Sequence, residues 1–277
     1  MMEYIVAGIV TYNPDLDRLR ENVESISSQV EKVVIFDNGS KNQDRIKDEF
    51  QDKVILIISS ENIGIAAALN RLMKKSEELG ATWMLSLDQD SVCPNSFCNE
   101  MSKYLKLELN FGIVAPVIVD RNVGVVGHNP EKEYKFVRTC ITSGAFTKIS
   151  VWKEAGGYDE FMFIDSVDFE FCYRVRKAGY QVVQVKGVRL LHEIGKSKKR
   201  RFLFWKVNIT GHSAYRKYYI ARNNVYYPLK HHLWLHFVRG CFRNLKLFCI
   251  VILYEDNKTE KCNSILKGWS SGLTNKR

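Results

Sequence analysis

Residues 83–94 read WMLSLDQDSVCP. An apolar run through Trp83, Met84, Leu85 and Leu87 ends in Asp88 and Asp90, one residue apart. Carboxylates this close repel and raise each other's pKa. A strand that keeps such a pair at its end either leaves it in water at a turn or holds a cation with it.

The chain on either side sets the fold in which the pair sits. Residues 4–10 are an apolar, β-branched run. Leu16, Leu19, Val23 and Ile26 then recur at helical spacing over 15–29. Residues 32–36 form a second β run, closed by the turn signal Asp37-Asn38-Gly39-Ser40. Residues 54–58 form a third, and 63–79 a helix stopped by Gly80. With 83–87 as the fourth strand, this alternation is that of an α/β fold, a parallel sheet covered by helices. Ligands of such sheets bind beyond the carboxyl ends of the strands. Thr11-Tyr12-Asn13, Asp37-Asn38, Glu61-Asn62 and Asp88-Gln89-Asp90 each follow a predicted strand, so four polar clusters are expected along one sheet edge.

After Pro94 the alternation breaks. A helix is expected over 97–109, and strands of a more mixed sheet over 111–119, 123–126 and 136–149. A helix over 168–178 is closed by Gly179, and 180–188 is a final strand. At Gly195 the composition turns to KSKKRRFLFW. Two domains are expected there: 1–195, the α/β domain, and 196–277, a mainly helical basic segment.

The chain of 277 residues is 45% hydrophobic and 26% charged, an ordinary globular balance that excludes disorder. The net charge of +10 is uneven: residues 196–277 hold 18 Lys and Arg against 3 Asp and Glu. Aromatic residues such as Trp205, Tyr218, Trp234, Phe237 and Phe242 lie among these cations. That pattern suits an interfacial segment on an anionic membrane surface. The plain alternative is a helical appendage packed on the α/β domain or on a second copy in a homodimer. No nucleic-acid recognition motif accompanies the charge, so nucleic acid is not expected as a partner. The 7 cysteines include no C-x-x-C pair and read as reduced thiols. With no signal-peptide pattern and no apolar run near the ~20 residues of a membrane span, the expected place is cytoplasmic, peripheral on the inner face of the cell membrane.

Several residues suit chemistry. Asp88 and Asp90 lie on one side of an extended segment and offer hard oxygen ligands, which suit Mg²⁺ or Mn²⁺. His192, after a strand, could add a ring nitrogen, although a lone histidine is more often a surface residue. Asp165, Asp168 and Glu170 are three carboxylates within six residues. Asp168 suits an N-cap and Glu170 the first-turn dipole, which would account for both structurally. Alternatively one of them is a general base aimed at a hydroxyl. Gly144, in Thr142-Ser143-Gly144-Ala145, marks either a bulge or a floor that a substrate approaches closely.

TYNP at 11–14, DNGS at 37–40, ENIGIAAALN at 61–70, LDQDS at 87–91, SGAF at 143–146, FIDSVDFEFCYR at 163–174 and HEIG at 192–195 occur in a telling order. Together they resemble the motifs of family-2 glycosyltransferases with the GT-A fold, specifically the rhamnosyltransferase-like branch, which YYIARN at 218–223 also resembles. The resemblance implies a nucleotide-binding sheet with a mixed acceptor side. It implies an inverting, metal-dependent transferase using a nucleotide-sugar donor, dTDP-L-rhamnose in this branch, and a lipid-linked saccharide acceptor. Thr11, Tyr12 and Asp37 would hold base and ribose, and Asn62 and Gly64 would line the nucleotide pocket. Asp88 and Asp90 would form the D-x-D motif, with Asp90 the more direct metal ligand, Asp88 nearer the ribose and sugar of the donor, and His192 a further metal ligand. Asp168 matches the catalytic base, while Ser143, Gly144, Asp165 and Glu170 would face acceptor or donor sugar. One departure stands out: many relatives carry Glu-Asp at the base motif, whereas here Val167 precedes Asp168, which leaves Asp165 a rival for part of the work. The alternatives are a UDP-hexose donor and a non-catalytic domain of this fold that binds glycan or membrane. A nucleotidyltransferase would want a basic, glycine-rich loop after the first strand, and VTYNPDLD is not one.

Overall fold

The sheet begins with four parallel strands. β1 (Ile5–Thr11), β2 (Lys32–Asp37), β3 (Ile55–Ile58) and β4 (Trp83–Asp88) lie in the order β3-β2-β1-β4. Their connections are α1 (Leu16–Ser27), α2 (Gln43–Phe50) and α3 (Ile65–Glu78). α1 starts where Asp15 accepts hydrogen bonds from the amides of Asp17 and Arg18, and it buries Leu19, Val23 and Ile26 against the sheet side of the core. α2 was not foreseen: it is short and charged, and only Ile46 and Phe50, one turn apart, are buried. The computed structural model describes residues 3–107, 109–120, 124–191, 198–202, 205–209 and 211–274.

The second half of the sheet is mixed. After α4 (Phe97–Leu105) come β5 (Phe111–Asp120), β6 (Gly124–Val126), β7 (Tyr134–Phe136) and β8 (Phe146–Lys148). Then follow α5 (Ile149–Glu154), α6 (Val167–Lys177) and β9 (Gln181–Leu191). β8 sits antiparallel between β4 and β5, β9 runs parallel to β5, and β7 closes that edge on β9. Two expectations are corrected. The stretch 136–149 is not one strand: β7 and β8 lie at different places in the sheet, separated by a turn in which Gly144 has φ +76°. Asp168 is not an N-cap: α6 already begins at Val167, which puts Asp168 in its first turn.

The core runs under the whole sheet, with Trp83, Phe97, Phe111 and Phe146 among its members. Fully burying one such side chain stabilises by about 1.5–3 kcal/mol.

The chain divides into two compact units. One is Met1–Phe161 with Val167–Glu193, and the other is Met162–Ser166 with the chain from Ile194. The second unit opens with an antiparallel hairpin, β10 (Lys198–Phe202) and β11 (Trp205–Ile209), which composition did not reveal. Three helices follow: α7 (Ala214–Lys230), α8 (Trp234–Tyr254) and α9 (Lys258–Thr274). Glycines let them touch backbone to backbone. A Cβ on Gly268 would lie 2.1 Å from the Tyr218 carbonyl oxygen, and one on Gly240 2.0 Å from that of Asn224. Glu255 is buried between Lys217 and Lys261, at 2.6 and 2.9 Å.

Trp234, Leu235, Val238, Phe242, Leu245, Ile252 and Leu253 of α8 are exposed and share one side of the helix at 3.6-residue spacing. Arg239, Arg243 and Lys246 run along the same side's margin. Among the described residues no helix is long and apolar enough to cross a membrane.

Candidate active site

Register brings the polar strand ends together. Thr11 lies beside Asp37, and Val10 beside Asp88. Side chains then lock the loops to one another. Asp37 is fully buried and accepts from Thr11 Oγ1 (3.0 Å), the Ser40 amide (3.0 Å), Gln43 Nε2 (3.0 Å) and the Ser40 hydroxyl. The Asn13 amide donates to Ser40 Oγ (2.7 Å), joining the β1 loop to the β2 loop. Asn38 Nδ2 donates to Asn62 Oδ1 (3.1 Å), joining the β2 loop to the β3 loop, and the same oxygen accepts from the Gly64 amide (2.9 Å). Gly39 is needed here: its φ is +80°, and a Cβ would lie 2.4 Å from the Glu61 carbonyl carbon.

The Asp88-Gln89-Asp90 loop is held by its backbone and its middle residue. Gln89 Oε1 accepts from the Tyr12 amide (2.8 Å), and Asn22 Nδ2 donates to the Asp88 carbonyl (2.6 Å). Asp88 and Asp90 stay part-exposed, and the neighbouring Tyr12 is exposed. Two part-exposed carboxylates on a fixed loop are a hard-oxygen donor set, and that set fits Mg²⁺ or Mn²⁺. Among the described residues no cluster of three His, Cys, Asp or Glu side chains completes a metal shell. His192 lies outside the described residues. The residue before it, Leu191, bridges Val92, two positions past Asp90.

The remaining expected residues fall into different settings. Ser143 is buried, with its hydroxyl 3.0 Å from that of Ser91. The Gly144 amide donates to the Ser86 carbonyl (2.7 Å), and a Cβ there would strike Leu190 at 2.7 Å, so tight packing accounts for this glycine. Asp168 accepts from the Phe169 amide (2.9 Å). Its charge helps to push up the Cys140 thiol, after the larger effects of the Cys172 contact (3.8 Å) and burial. Glu170, expected to face a sugar, is fully buried and turned inward, where Arg174 grips it at 2.7–3.0 Å. Asp165 packs with the helical unit and receives both arms of Arg216, Nε at 3.1 Å and Nη2 at 3.0 Å.

Sequence patterns did not single out Asn22, Gln43, Gln89 or Asn70. Asn22 carried a signal: a fully buried amide on the apolar face of α1 needs a specific partner. Asn70 ends the ENIGIAAALN stretch and holds the loop before the base motif, accepting from Trp152 Nε1 (3.0 Å) and the Tyr158 amide (2.7 Å).

A parallel sheet with polar loops gathered at the strand ends, a D-x-D pair among them and an antiparallel extension define a GT-A nucleotide-sugar transferase architecture. The model of glycosyl transferase family 2 matches residues 7–163, and the chain belongs to that family. It is a glycosyltransferase. A dTDP-rhamnosyl transferase, RfbF of Shigella flexneri, is 33% identical over 94% of this chain and 92% of its own length. Among solved structures, the mannosyltransferase PcManGT of Pyrobaculum calidifontis, in complex with GDP-Man and Mn²⁺, superposes with a TM-score of 0.60 at 14% identity, covering 100% of this chain and 89% of that one. The S. aureus TarS 1–349 complex with UDP-GlcNAc gives 0.59 at 14%, covering 94% and 79%.

Proposed function

We propose that the protein transfers L-rhamnose from dTDP-L-rhamnose, with inversion, to a hydroxyl of a lipid-linked saccharide in cell-surface polysaccharide synthesis. The observation that supports the chemistry is the locked set of strand-end loops with two part-exposed carboxylates among them. The donor rests on the likeness to the rhamnosyl transferase. Thr11, Tyr12, Asp37, Asn62 and Gly64 shape the nucleotide side, Asp37 by organising the loops from within. Asp88 and Asp90, with His192, would hold Mg²⁺ or Mn²⁺. When bound, such a cation neutralises the charge that develops on the departing diphosphate. Asp168 takes the proton of the acceptor hydroxyl. The hydroxyl oxygen then bonds to the anomeric carbon from the face opposite dTDP, which leaves with the electron pair of the broken bond.

The helical unit is the membrane-facing part in this reading. The apolar side of α8, bordered by Arg239, Arg243 and Lys246, suits a peripheral position on an anionic leaflet, where a lipid-linked acceptor resides. Trp234→Ser/Phe242→Ser should then lose sedimentation with phosphatidylglycerol vesicles.

The deciding experiment compares calorimetric binding of dTDP-L-rhamnose, UDP-glucose and UDP-galactose with and without Mn²⁺, followed by dTDP release against a panel of octyl hexosides. Metal-dependent preference for dTDP-L-rhamnose supports the assignment. Preference for a UDP-hexose keeps the mechanism and overturns the donor. Binding of none of the three overturns both donor readings.

A further inference from the structure

Residues 162–166 lead into α6, whose second residue is Asp168, yet they pack with the helical unit. Their backbone is strained: Phe163, Asp165 and Ser166 have φ of +59°, +66° and +62°. A left-handed conformation costs a non-glycine residue about 1–2 kcal/mol, so three within four residues persist only if the surroundings hold them.

One face of α7 does the holding. Asn223 is 1% exposed and directs Nδ2 at three carbonyl oxygens, those of Met162 (2.9 Å), Ile164 (2.8 Å) and Asp165 (2.8 Å). Arg222 Nε donates to Asn223 Oδ1 (3.2 Å), which fixes the amide with its nitrogen toward the loop. Two turns earlier, Arg216 takes both oxygens of Asp165. Between them Tyr219 stacks on Phe163, with centroids 4.6 Å apart and planes at 12°, and Tyr215 meets the same ring edge-on at 5.8 Å. Tyr215, Tyr219 and Asn223 are spaced four residues apart, one stripe of the helix. Arg222, Tyr219 and Asn223 belong to the YYIARN stretch, which the strand-end site leaves without a role.

We infer that this stripe of α7 is a positioning device for the general base: it holds the 162–166 backbone in its strained form and so sets where α6 begins and where Asp168 points. Asn223, Arg216 and Tyr219 are positioning residues, touching the loop and not the substrate. Asp165 is accordingly an anchor of that loop. The inference rests on Asp168 being the base. Displacing a catalytic group by about 1 Å can cost about 10²-fold in rate, which sets the expected effect.

Asn223→Asp is the sharpest test. It keeps the shape but sets a carboxylate oxygen against three carbonyl oxygens. In the full-length chain, dTDP release from dTDP-L-rhamnose should fall about 100-fold in kcat, with donor KM and calorimetric donor affinity within about twofold. Hydrogen exchange at residues 162–170, read by mass spectrometry, should quicken. Arg216→Gln should act the same way, and Arg216→Lys, which keeps one of the two bonds to Asp165, should restore part of the rate. Asn244→Ala is the control. Asn244 is buried in the same unit and donates to the Ala221 carbonyl (2.9 Å). Its loss should lower the melting temperature at least as much, yet leave kcat within about twofold. The inference is overturned if kcat falls equally in Asn244→Ala, or if Asn223→Asp exchanges at 162–170 as slowly as the parent. A fully active Asp168→Asn would instead overturn the base assignment, while the exchange measurement would still judge the clamp.

Discussion

Asp37 and Asp88 end the two strands that flank β1, and they meet adjacent residues of it, Thr11 and Val10. Their treatment differs. Asp37 has no exposed surface, and four donors from Thr11, Ser40 and Gln43 converge on its carboxylate. At Asp88 the anchoring falls on the backbone carbonyl, taken by Asn22, and on the next residue, Gln89. Two of Asp37's donors stand three and six residues further on in the sequence, so its turn closes on itself. The Asp88–Asp90 turn is instead gripped by groups from 66 and 77 residues away, and its carboxylates remain part-exposed. The same residue at neighbouring strand ends of one sheet is thus fully enclosed in one loop and part-exposed in the other.

That contrast fails first at Asp90 if it is wrong. Asp90→Asn should reduce dTDP release by about 10³-fold or more, in line with the several kcal/mol that a Lewis acid supplies. The melting temperature should stay within about 1 °C, because a part-exposed carboxylate contributes little to stability. A large loss of melting temperature would make Asp90 a second Asp37.

Glu255 extends the comparison to a carboxylate held by charge. Burial alone would raise its pKa, but hydrogen bonds from Lys217 and Lys261 outweigh that and hold it below the usual carboxylate range. Its contribution is therefore fully present above the ordinary glutamate pKa of about 4.3 and is lost as pH falls through the depressed folded value. Glu255→Gln leaves Lys217, 1% exposed, without a counter-charge, and should destabilise by about 3–5 kcal/mol at pH 7. It should also remove part of the acid-side slope seen in urea titrations between pH 3 and 5. An unchanged slope would show that the pair does not govern acid stability.

Asp37→Ala should come next, at roughly 2–4 kcal/mol by urea denaturation, since it strands several buried donors that each cost about 1–3 kcal/mol when unpaired. Residual activity per folded molecule should exceed that of Asp90→Asn. If it does not, Asp37 contacts the donor and the contrast with Asp88 narrows.

The parallel half of this fold was legible because each of its signals is local. Period-two and period-3.6 patterns, Asp37-Asn38-Gly39-Ser40 and Gly80 all speak within a few residues. The stretch 136–149 misled because Val137, Thr139, Ile141 and Thr142 favour strands wherever they lie, and the break at Gly144 shows only in three dimensions. α2 was too short and too charged to register. At the site, the acid cluster at 165–170 shows the limit most clearly. Nothing nearby reveals that Asp165 pairs with Arg216, 51 residues on, and although Arg174 stands four residues after Glu170, that spacing does not say that the pair folds inward. Asn223 is equally silent in sequence, because its acceptors are carbonyls 58 to 61 residues earlier.

The smallest effect is expected at Gln89, and it sharpens the comparison most finely. Gln89 stands between the two carboxylates and bonds the Tyr12 amide at 2.8 Å, in a part-exposed position. A hydrogen bond of this kind contributes about 0.5–1.5 kcal/mol. Gln89→Ala should therefore raise the KM for dTDP-L-rhamnose by about threefold to tenfold and leave kcat nearly unchanged, since it frees the β1 loop without touching Asp88 or Asp90. Gln89→Glu keeps the acceptor for the Tyr12 amide and should restore the loop. It also adds a third negative charge beside the pair, which should tighten Mn²⁺ while weakening the diphosphate-bearing donor. If Gln89→Glu matches the parent in both, the loop does not sense charge at that position. If Gln89→Ala lowers kcat as Asp90→Asn does, the middle residue belongs to the chemistry, and the division between anchoring groups and ligand groups in this loop is drawn in the wrong place.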